Sequence, residues 1–411
     1  MKPKTAPMSR PMSTFRSKLA LEQLNERIVP ALFAIGASDG SVDIVDAATD
    51  VPVVSNFRPL DVGSTPYSGL VSVALGDLNK DGTADLFVAA ANPVGVQELD
   101  VTKAGKVFVF DGKDLATDPT SVTAFHVFTP FATTNGPNGT TGAFINGLNI
   151  AVADVNGDTT VDLIAGTRGG SNTSGNPEYG RLAVVSAGAS ADGSNDIIIG
   201  GIKTPFGATY QKGVVVTGGD FNNDGSSEVA VTRGGPVAAS NPNKSVKLKV
   251  FTFAGGNLTE LNLTGNNSVF APFGSITNSS GAVIERDARL TVIDSDGDSI
   301  PELVFTALDR VTNPSNPQVR VGVFVVNTTT GRISLVSTGQ GADPATYLVG
   351  NQIIDHAITH VDLDANGSSD LALLTQTGVF GIQFLDPIIG DVKLGGFGLS
   401  LSDGGISLDG F

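Results

Sequence analysis

A nine-residue acidic pattern occurs five times in this chain, and it constrains the fold more than any other feature. Each copy places Asp, Asn or Glu at positions 1, 3, 5 and 9. Oxygen-only side chains at that density suit a hard cation such as Ca²⁺. The copies begin 77, 66, 74 and 68 residues apart, so each belongs to a repeated unit larger than one hairpin. We number them loops 1 to 5, at residues 77–85, 154–162, 220–228, 294–302 and 362–370.

The charge of the chain is largely the charge of these loops. The net charge is −16, and the four acidic or amide positions of the five loops together carry 16 carboxylates. Such a balance argues against a nucleic-acid partner, because phosphate binding needs a basic face. The chain contains no cysteine, which excludes disulfides, thiolate metal sites and a cysteine nucleophile. No apolar run approaches the ~18 residues of a transmembrane helix, so we expect no membrane span.

Short apolar runs rich in Val and Ile flank every loop, as in Val71–Leu75 before loop 1 and Leu86–Ala89 after it. This composition is typical of β-strands, so each loop is predicted to join two strands of a hairpin. A third strand follows in each unit, and a fourth is expected near the corners at Pro130-Phe131, Pro205-Phe206 and Pro272-Phe273. The repeat therefore predicts an all-β propeller of four-stranded blades.

Residues 32–60 resemble a unit that lacks its first strand and its loop. A chain that begins inside a blade can close the ring with a strand from its C-terminus, which removes the open sheet edge. Counting this partial unit favours six blades, with seven and then five as the alternatives. We expect a propeller over residues 32–386 and a Gly-rich tail over 387–411, which is either the closing strand or a flexible end.

An EF-hand is the obvious rival interpretation of the loops. It requires a carboxylate at loop position 12 and helices on both sides. Position 12 is instead Val88, Ala165, Val231, Phe305 or Leu373, none of which can bind a metal through its side chain. Solvated hairpin turns remain the other alternative, since Asp, Asn and Gly favour turns without any metal.

The arrangement resembles the FG-GAP repeat family, also called VCBS-type repeats, to which integrin alpha-subunit propellers belong. The family pattern, D-x-[DN]-x-[DN]-G-x-x-[DE], matches the loops and their flanking strands across residues 32–386. Thr159 and Ser299 depart from it at position 6, where Gly is usual. Because Gly157 and Gly297 come two residues earlier, we expect the turn to shift by two residues in loops 2 and 4.

The resemblance implies up to five calcium ions, with position 9 chelating through both of its oxygens and position 7 giving its backbone carbonyl. The implied side-chain ligands are Asp77, Asn79, Asp81, Asp85, Asp154, Asn156, Asp158, Asp162, Asp220, Asn222, Asp224, Glu228, Asp294, Asp296, Asp298, Glu302, Asp362, Asp364, Asn366 and Asp370. The implied backbone carbonyls are those of Thr83, Thr160, Ser226, Ile300 and Ser368.

Other candidate sites are weaker. His356 and His360 are four residues apart, but no Glu follows His356, so the H-E-x-x-H zinc motif is not met. His126 stands alone in a predicted strand and is interpreted as structural. Arg168 and Arg233 occupy matching Thr-Arg-Gly-Gly segments, where they could bind an acidic ligand or remain solvated. No nucleophile elbow or phosphate loop is present in the sequence.

Three functional hypotheses follow. The resemblance favours a secreted or surface calcium-binding propeller that is not an enzyme and that recognises a surface protein or a polysaccharide. The alternative is an extracellular propeller enzyme, a lyase or hydrolase acting on polysaccharide. A structural module of the cell envelope without a discrete ligand is the third. Fold alone does not separate them.

The N-terminal segment 1–31 is basic, unlike the rest of the chain. It contains Pro and Ser and lacks the apolar core of an ordinary signal peptide. Residues 21–31, LEQLNERIVPA, resemble a segment near the N-terminus of many exported planctomycete proteins. We therefore predict an extracellular or cell-surface location, with a disordered tail or a short amphipathic helix as the alternative reading of this segment.

Overall fold

Short antiparallel strands make up nearly all the regular structure. The computed structural model describes residues 32–46, 51–61, 63, 66–90, 103, 105–131, 146–171, 177–234, 247–263, 285–294, 298–309, 318–335, 346–347, 356–361, 370–375, 381–385, 392–395 and 407–410. The N-terminal segment 1–31 therefore lies outside the described residues. The helix found in the described part of the chain is too short to cross a membrane.

The strands follow the repeat of the sequence. The first two units supply β1 (Leu32–Gly36), β2 (Val42–Asp46), β3 (Val51–Phe57), β4 (Val71–Gly76), β5 (Asp85–Ala90), β6 (Val107–Phe110), α1 (Gly112–Thr117) and β7 (His126–Phe128). The next two supply β8 (Leu148–Ala153), β9 (Asp162–Thr167), β10 (Gly170–Ser171), β11 (Pro177–Glu178), β12 (Leu182–Ser186), β13 (Ile197–Lys203), β14 (Val214–Gly219), β15 (Glu228–Arg233), β16 (Leu248–Ala254) and β17 (Asn257–Glu260). The remainder supplies β18 (Glu285–Ile293), β19 (Glu302–Asp309), β20 (Gln318–Asn327), β21 (Arg332–Leu335), β22 (Thr346–Tyr347), β23 (His356–Val361), β24 (Asp370–Thr375), β25 (Gly381–Leu385), β26 (Val392–Gly395) and β27 (Ser407–Gly410).

Pairing of these strands confirms an all-β propeller of four-stranded blades and corrects its count. Within the described residues, five sheets have four strands, in the orders β27-β1-β2-β3, β4-β5-β6-β7, β13-β12-β9-β8, β14-β15-β16-β17 and β23-β24-β25-β26. The expectation of six four-stranded blades is therefore corrected to five, and the sixth sheet of the ring differs from them. The sheet β18-β19-β20-β21 carries a fifth strand, because β22 also pairs with β20. A separate two-stranded sheet joins β10 and β11.

Each acidic loop joins the first and second strands of its sheet, as predicted. These two strands pair antiparallel in all five units that contain a loop. The fourth strand ends immediately before the aromatic corner in two units, since β7 ends at Phe128 and β13 at Lys203. The third predicted corner, Pro272-Phe273, lies outside the described residues.

A strand from the C-terminus completes the first sheet. β27 pairs antiparallel with β1, placing Phe33 opposite Gly410 and Gly36 opposite Ser407. The first strands of successive sheets contact one another in the order β4, β8, β14, β18 and β23, and β27 contacts both β23 and β4. The sheets therefore form a closed ring, in which β1 has no open edge.

The core lies between neighbouring sheets, which explains why inner strands bury apolar side chains on both faces. All six residues of β5 are buried. Leu86 and Val88 pack toward the first sheet, where they contact a cluster that includes Val42. Phe87 and Ala89, which point the opposite way, pack toward the third sheet. A strand covered on both faces loses the apolar–polar alternation of a half-exposed strand.

Glycine allows two pairs of neighbouring sheets to approach closely. A Cβ atom added at Gly76 would lie 2.8 Å from Val152 Cγ2 of the next sheet. At Gly166 it would lie 2.7 Å from Val214 Cγ2. Because both distances are shorter than van der Waals contact, any larger residue would push the sheets apart.

We predict that removing residues 407–411 destabilises the protein and promotes self-association. The truncation removes the strand that pairs with β1 over four residue pairs, and each lost hydrogen bond is worth about 1 kcal/mol. It also leaves β1 as an open edge. Thermal melting followed by far-UV circular dichroism, together with size-exclusion chromatography, measures both effects. Removing Phe411 alone, which lies beyond β27, is the control; equal melting of the two truncations would contradict the closing role.

Candidate calcium-binding loops

A buried carboxylate at position 9 fastens each of the first three loops to its own hairpin. In every case one carboxylate oxygen accepts a hydrogen bond from the backbone N–H of position 2. The side chains at position 9 are almost completely buried, so these bonds are shielded from water. The N···O distances are 2.9 Å for Leu78–Asp85, 3.0 Å for Val155–Asp162 and 2.9 Å for Phe221–Glu228.

The Asp and Asn side chains at positions 1, 3 and 5 hold the loop backbone in a tight turn. In loop 1, Asp77 accepts hydrogen bonds from the N–H groups of Asp81 and Gly82, at 3.1 and 2.9 Å. Asn79 accepts from Asp81, and Asp81 from Thr83, both at 2.9 Å. The same four bonds recur at matching positions of loops 2 and 3. Asp and Asn side chains stabilise turns in this way.

The backbone of loops 2 and 4 corrects the prediction of a shifted turn. Position 6 has a positive φ in loops 1 to 4, including Thr159 at 69° and Ser299 at 66°. Position 4 is also left-handed in the first three loops, where Gly157 takes the place held by Lys80 in loop 1. Gly157 therefore supplies the left-handed backbone conformation that position 4 takes. The turn keeps its register, although Thr159 at position 6 carries a β-branched side chain.

Loops 4 and 5 are described only in part. In loop 4, Ser299 N–H donates to Asp294 at 3.0 Å and Ile300 N–H to Asp298 at 2.8 Å, as in the other loops. Glu302 is buried at position 9. Asp296 and residues 362–369 of loop 5 lie outside the described residues, as does the side chain of Asp370.

Burial changes the protonation of the position 9 carboxylates. It raises the pKa of Asp85 to about 6, although N–H donors from Gly112, Leu78 and Asn79 oppose the rise. It likewise raises the pKa of Asp162 to about 6. Burial also raises the pKa of Glu228 to about 7, and the nearby charges of Asp224 and Asp220 add to that rise. Without a counter-charge, the ionised form of these groups is therefore disfavoured.

The donor set fits calcium in its chemistry. All four side chains of each loop present oxygen, and Oδ1 of Asp162 is buried without a hydrogen-bond partner. In loop 1 the equivalent oxygen accepts from Gly112 N–H at 3.1 Å. Among the described residues, however, no three Asp, Glu or His side chains converge closely enough to hold a metal ion. The bidentate role of position 9 stays a prediction.

Neighbouring loops contact one another at this end of the ring. The Lys80 ammonium donates to Thr159 Oγ1 at 3.1 Å, which links loops 1 and 2. The backbone N–H of Ser227 donates to the carbonyl of Asp154 at 2.6 Å, which links loops 3 and 2. Loops 1, 2 and 3 are therefore joined to one another by direct contacts.

The histidines have structural surroundings where they are described. His126 Nε2 lies 3.1 Å from Asp196 Oδ1, with both side chains buried, and its ring meets Phe128 edge to face. This pair connects β7 with the turn between β12 and β13. Burial lowers the pKa of His360 to about 4, and its Nδ1 has no partner. The side chain of His356 lies outside the described residues.

The two arginines are not equivalent, which corrects the sequence comparison. Val214, the first residue of β14, pairs with Arg233, whereas Leu148, the first residue of β8, pairs with Thr167. Arg168 therefore lies one residue beyond the position of Arg233, and a shift of one residue reverses the side-chain direction along a strand.

Arg233 contacts two aromatic rings that sequence reasoning did not connect with it. Its guanidinium carbon lies 5.3 Å from the ring centroids of both Phe206 and Tyr210. These residues come from the segment between β13 and β14, more than 20 residues earlier in the chain. The Pro-Phe-Gly corner at residues 205–207 was the only sequence signal pointing to them.

The closed ring of antiparallel sheets, with acidic hairpins joining first and second strands, defines the chain as a β-propeller. The FG-GAP repeat family matches residues 70–110, which span β4, loop 1, β5 and β6. The resemblance to FG-GAP repeats is therefore confirmed. No curated protein matches the sequence.

Several solved structures resemble the chain at low identity and low TM-score. AofleA from Arthrobotrys oligospora is 11% identical, with a TM-score of 0.42, and the match covers 92% of this chain and 89% of that one. Rhamnogalacturonan lyase PL11 from Bacillus licheniformis is 14% identical, with a TM-score of 0.37, covering 92% and 66%. The exotype rhamnogalacturonan lyase YesX is 12% identical, with a TM-score of 0.37, covering 92% and 80%. Similarity at this level supports no statement about ligand or reaction.

We predict that Thr159→Gly stabilises the protein by roughly 1 kcal/mol. A β-branched residue at a φ of 69° is strained, and the release outweighs the greater flexibility of glycine in the unfolded chain. Urea unfolding followed by far-UV circular dichroism measures the change, since the chain has no Trp.

Gly82→Ala is the converse test. Position 82 has a φ of 86° and open space around a new Cβ, so a loss of roughly 1 kcal/mol in the free energy of unfolding would arise from the backbone alone. A destabilised Thr159→Gly variant would contradict this account.

We also predict that the chelator-treated protein loses stability as the pH rises from about 4 to 7. Asp85, Asp162 and Glu228 have raised pKa values in the folded state, so folding is favoured below the unfolded values near 4 and weakened as these groups ionise. Thermal midpoints across this range in excess chelator measure the trend. Asp162→Asn should flatten it, whereas Asp192→Asn, at an exposed site outside the loops, should not. A midpoint that rises steadily over the same range would contradict the prediction.

Proposed function

We propose that this protein is a calcium-stabilised propeller that acts outside the cell in recognition rather than catalysis. The observation that supports this most directly is the common geometry of loops 1 to 3. Each buries an ionisable carboxylate at position 9, with a half-buried carboxylate at position 1 and an exposed one at position 5. Burying such a group without a compensating charge is costly, and a divalent cation offsets that cost.

The existing hydrogen bonds are compatible with metal binding. Each ionised carboxylate has about four lone-pair sites, so an oxygen that accepts from a backbone N–H can still face a cation. The bonds that fix the turn would then orient the ligands before the ion arrives. Asp162 Oδ1, which is buried and has no partner, is the oxygen with the most to gain. Ca²⁺ fits better than Mg²⁺, because it accepts flexible sites with many oxygen ligands.

The proposed location and role follow from the same loops. Calcium is abundant outside the cell, where loops of modest affinity fill and can replace disulfides as cross-links. The chain has no cysteine, so its stability at such a location would depend on the ring closure and on these loops. We propose a surface protein or a polysaccharide as the partner, because the chain resembles FG-GAP repeats, whose propellers commonly serve in recognition.

An enzyme acting on polysaccharide is the competing hypothesis. It predicts that incubation with acidic and neutral polysaccharides in the presence of Ca²⁺ produces new reducing ends or unsaturated products. The recognition hypothesis predicts calcium-dependent retention on a polysaccharide or surface protein without product. Product formation that survives repurification of the protein would reject the recognition role proposed here.

We predict that millimolar Ca²⁺ raises the thermal midpoint well above that in excess chelator. Binding to the folded state alone adds about 2.7 kcal/mol when the free ion is at 100 times its dissociation constant. Far-UV circular dichroism melts measure the shift, which should saturate with Ca²⁺ and be much smaller with Mg²⁺.

Matched variants assign this shift to the loops. Asp162→Asn removes one charge from the oxygen pair of loop 2 and should reduce the calcium-dependent shift. Asp192→Asn removes one charge at an exposed position outside the loops and should leave it unchanged. Equal melts of the unmodified protein in Ca²⁺ and chelator would reject calcium binding and leave the loops as hydrogen-bonded turns.

A further inference from the structure

A second site lies at the other end of the sheets. β15 begins at Glu228, the last residue of loop 3, and ends at Arg233. Five residue steps along a strand span about 17 Å. Since the Debye length is about 8 Å at physiological ionic strength, the field of the acidic loops is largely screened at Arg233. A local cationic site can therefore exist in a chain with a net charge of −16.

Two aromatic rings hold the Arg233 side chain between neighbouring sheets. The rings of Phe206 and Tyr210 are 5.6 Å apart and inclined at 65°, and the guanidinium carbon lies 5.3 Å from each. Tyr210 is itself fixed, because its hydroxyl donates to the Gly234 carbonyl at 3.2 Å and its carbonyl accepts from Gly180 N–H at 2.6 Å. Such packing positions the guanidinium before any ligand binds.

Positive charge accumulates around Arg233 without an equal counter-charge. Burial, together with the charges of Arg233 and Lys249, lowers the pKa of Lys247. Lys249 is paired with Glu260 at 2.8 Å. Among the described residues no carboxylate forms an ion pair with Arg233 or Lys247, and the buried Nε of Arg233 has no hydrogen-bond partner.

This arrangement costs stability unless a ligand supplies the missing charge. Two like charges that are partly removed from water repel each other, and a buried donor without a partner adds a desolvation cost. Both costs fall when an anion lies between the two cations. A guanidinium binds a planar carboxylate through two parallel hydrogen bonds, which an ammonium group cannot reproduce.

We propose that Arg233 and Lys247, with the rings of Phe206 and Tyr210, bind a uronic acid residue of an acidic polysaccharide. A uronic acid carries its carboxylate directly on a sugar ring. The carboxylate can therefore lie on Arg233 and Lys247 while a C–H face of the sugar packs against the half-buried Phe206. An acidic peptide presents its carboxylates on flexible chains and gains less from the adjacent rings.

This inference rests on the proposed recognition role but uses a site separate from the calcium loops. The two proposals can therefore fail separately. Uronate binding with no calcium-dependent melt would remove only the calcium proposal. A calcium-dependent melt without uronate binding would remove only this one.

Isothermal titration of the full chain with a galacturonate trimer, in millimolar Ca²⁺, tests the site. We expect binding that weakens with added salt, and no binding of the neutral galactose trimer. Arg233→Gln should weaken the affinity about tenfold or more, because it removes the charged, two-pronged contact. Arg233→Lys keeps the positive charge but not the two-pronged contact, so it should retain only part of the affinity of the unmodified protein. Lys212→Gln, which removes an exposed charge from the neighbouring segment, should bind as the unmodified protein does.

Folding is checked separately by far-UV circular dichroism. If Arg233→Gln does not fold, Lys247→Gln carries the test, because Lys247 does not lie over either ring. An equal affinity of the folded variants and the unmodified protein for the trimer would overturn the proposal. Absence of trimer binding would overturn it too, as would tighter binding of a triglutamate peptide that depends on the same residues.

Discussion

The hydrogen bond between the position 9 carboxylate and the N–H of position 2 is the contact on which the acidic hairpins depend. It ties the first residue of the second strand to the turn that follows the first strand, as with Asp85 and Leu78 at 2.9 Å. The contact is buried, so removing the carboxylate would leave an unsatisfied backbone N–H in the protein interior. An oxygen acceptor at this position is therefore required by the hairpin itself, whether or not a metal binds.

These two roles explain why the carboxylate at position 9 is both buried and ionisable. A hairpin turn needs only the exposed Asp and Asn side chains that accept from the loop backbone. A carboxylate that is buried beside them is disfavoured when ionised, which is why burial raises the pKa of Glu228 to about 7. The same group becomes favourable beside a cation.

The sequence predicted those parts of the fold that recur. Five loops in phase indicated the hairpins, and the partial first unit indicated that a C-terminal strand could complete it, as β27 does. It did not predict β22, because two residues carry no periodic signal. It also misplaced the turn at Thr159, since a glycine was assumed to be needed at position 6, whereas Gly157 serves position 4. Contacts that occur only once, between distant segments, produce no repeated pattern in the sequence, so they could not be predicted from it.

The Arg233 site shows this limit most clearly. Matching Thr-Arg-Gly-Gly segments made Arg168 and Arg233 look alike, but the strand register separates them by one residue. Arg233 lies over both Phe206 and Tyr210, because the segment before β14 passes over the end of β15. The protein thus keeps its acidic hairpins and this cationic site at opposite ends of the same strand. Separation by more than a Debye length lets each end meet a ligand of opposite charge without cancelling the other.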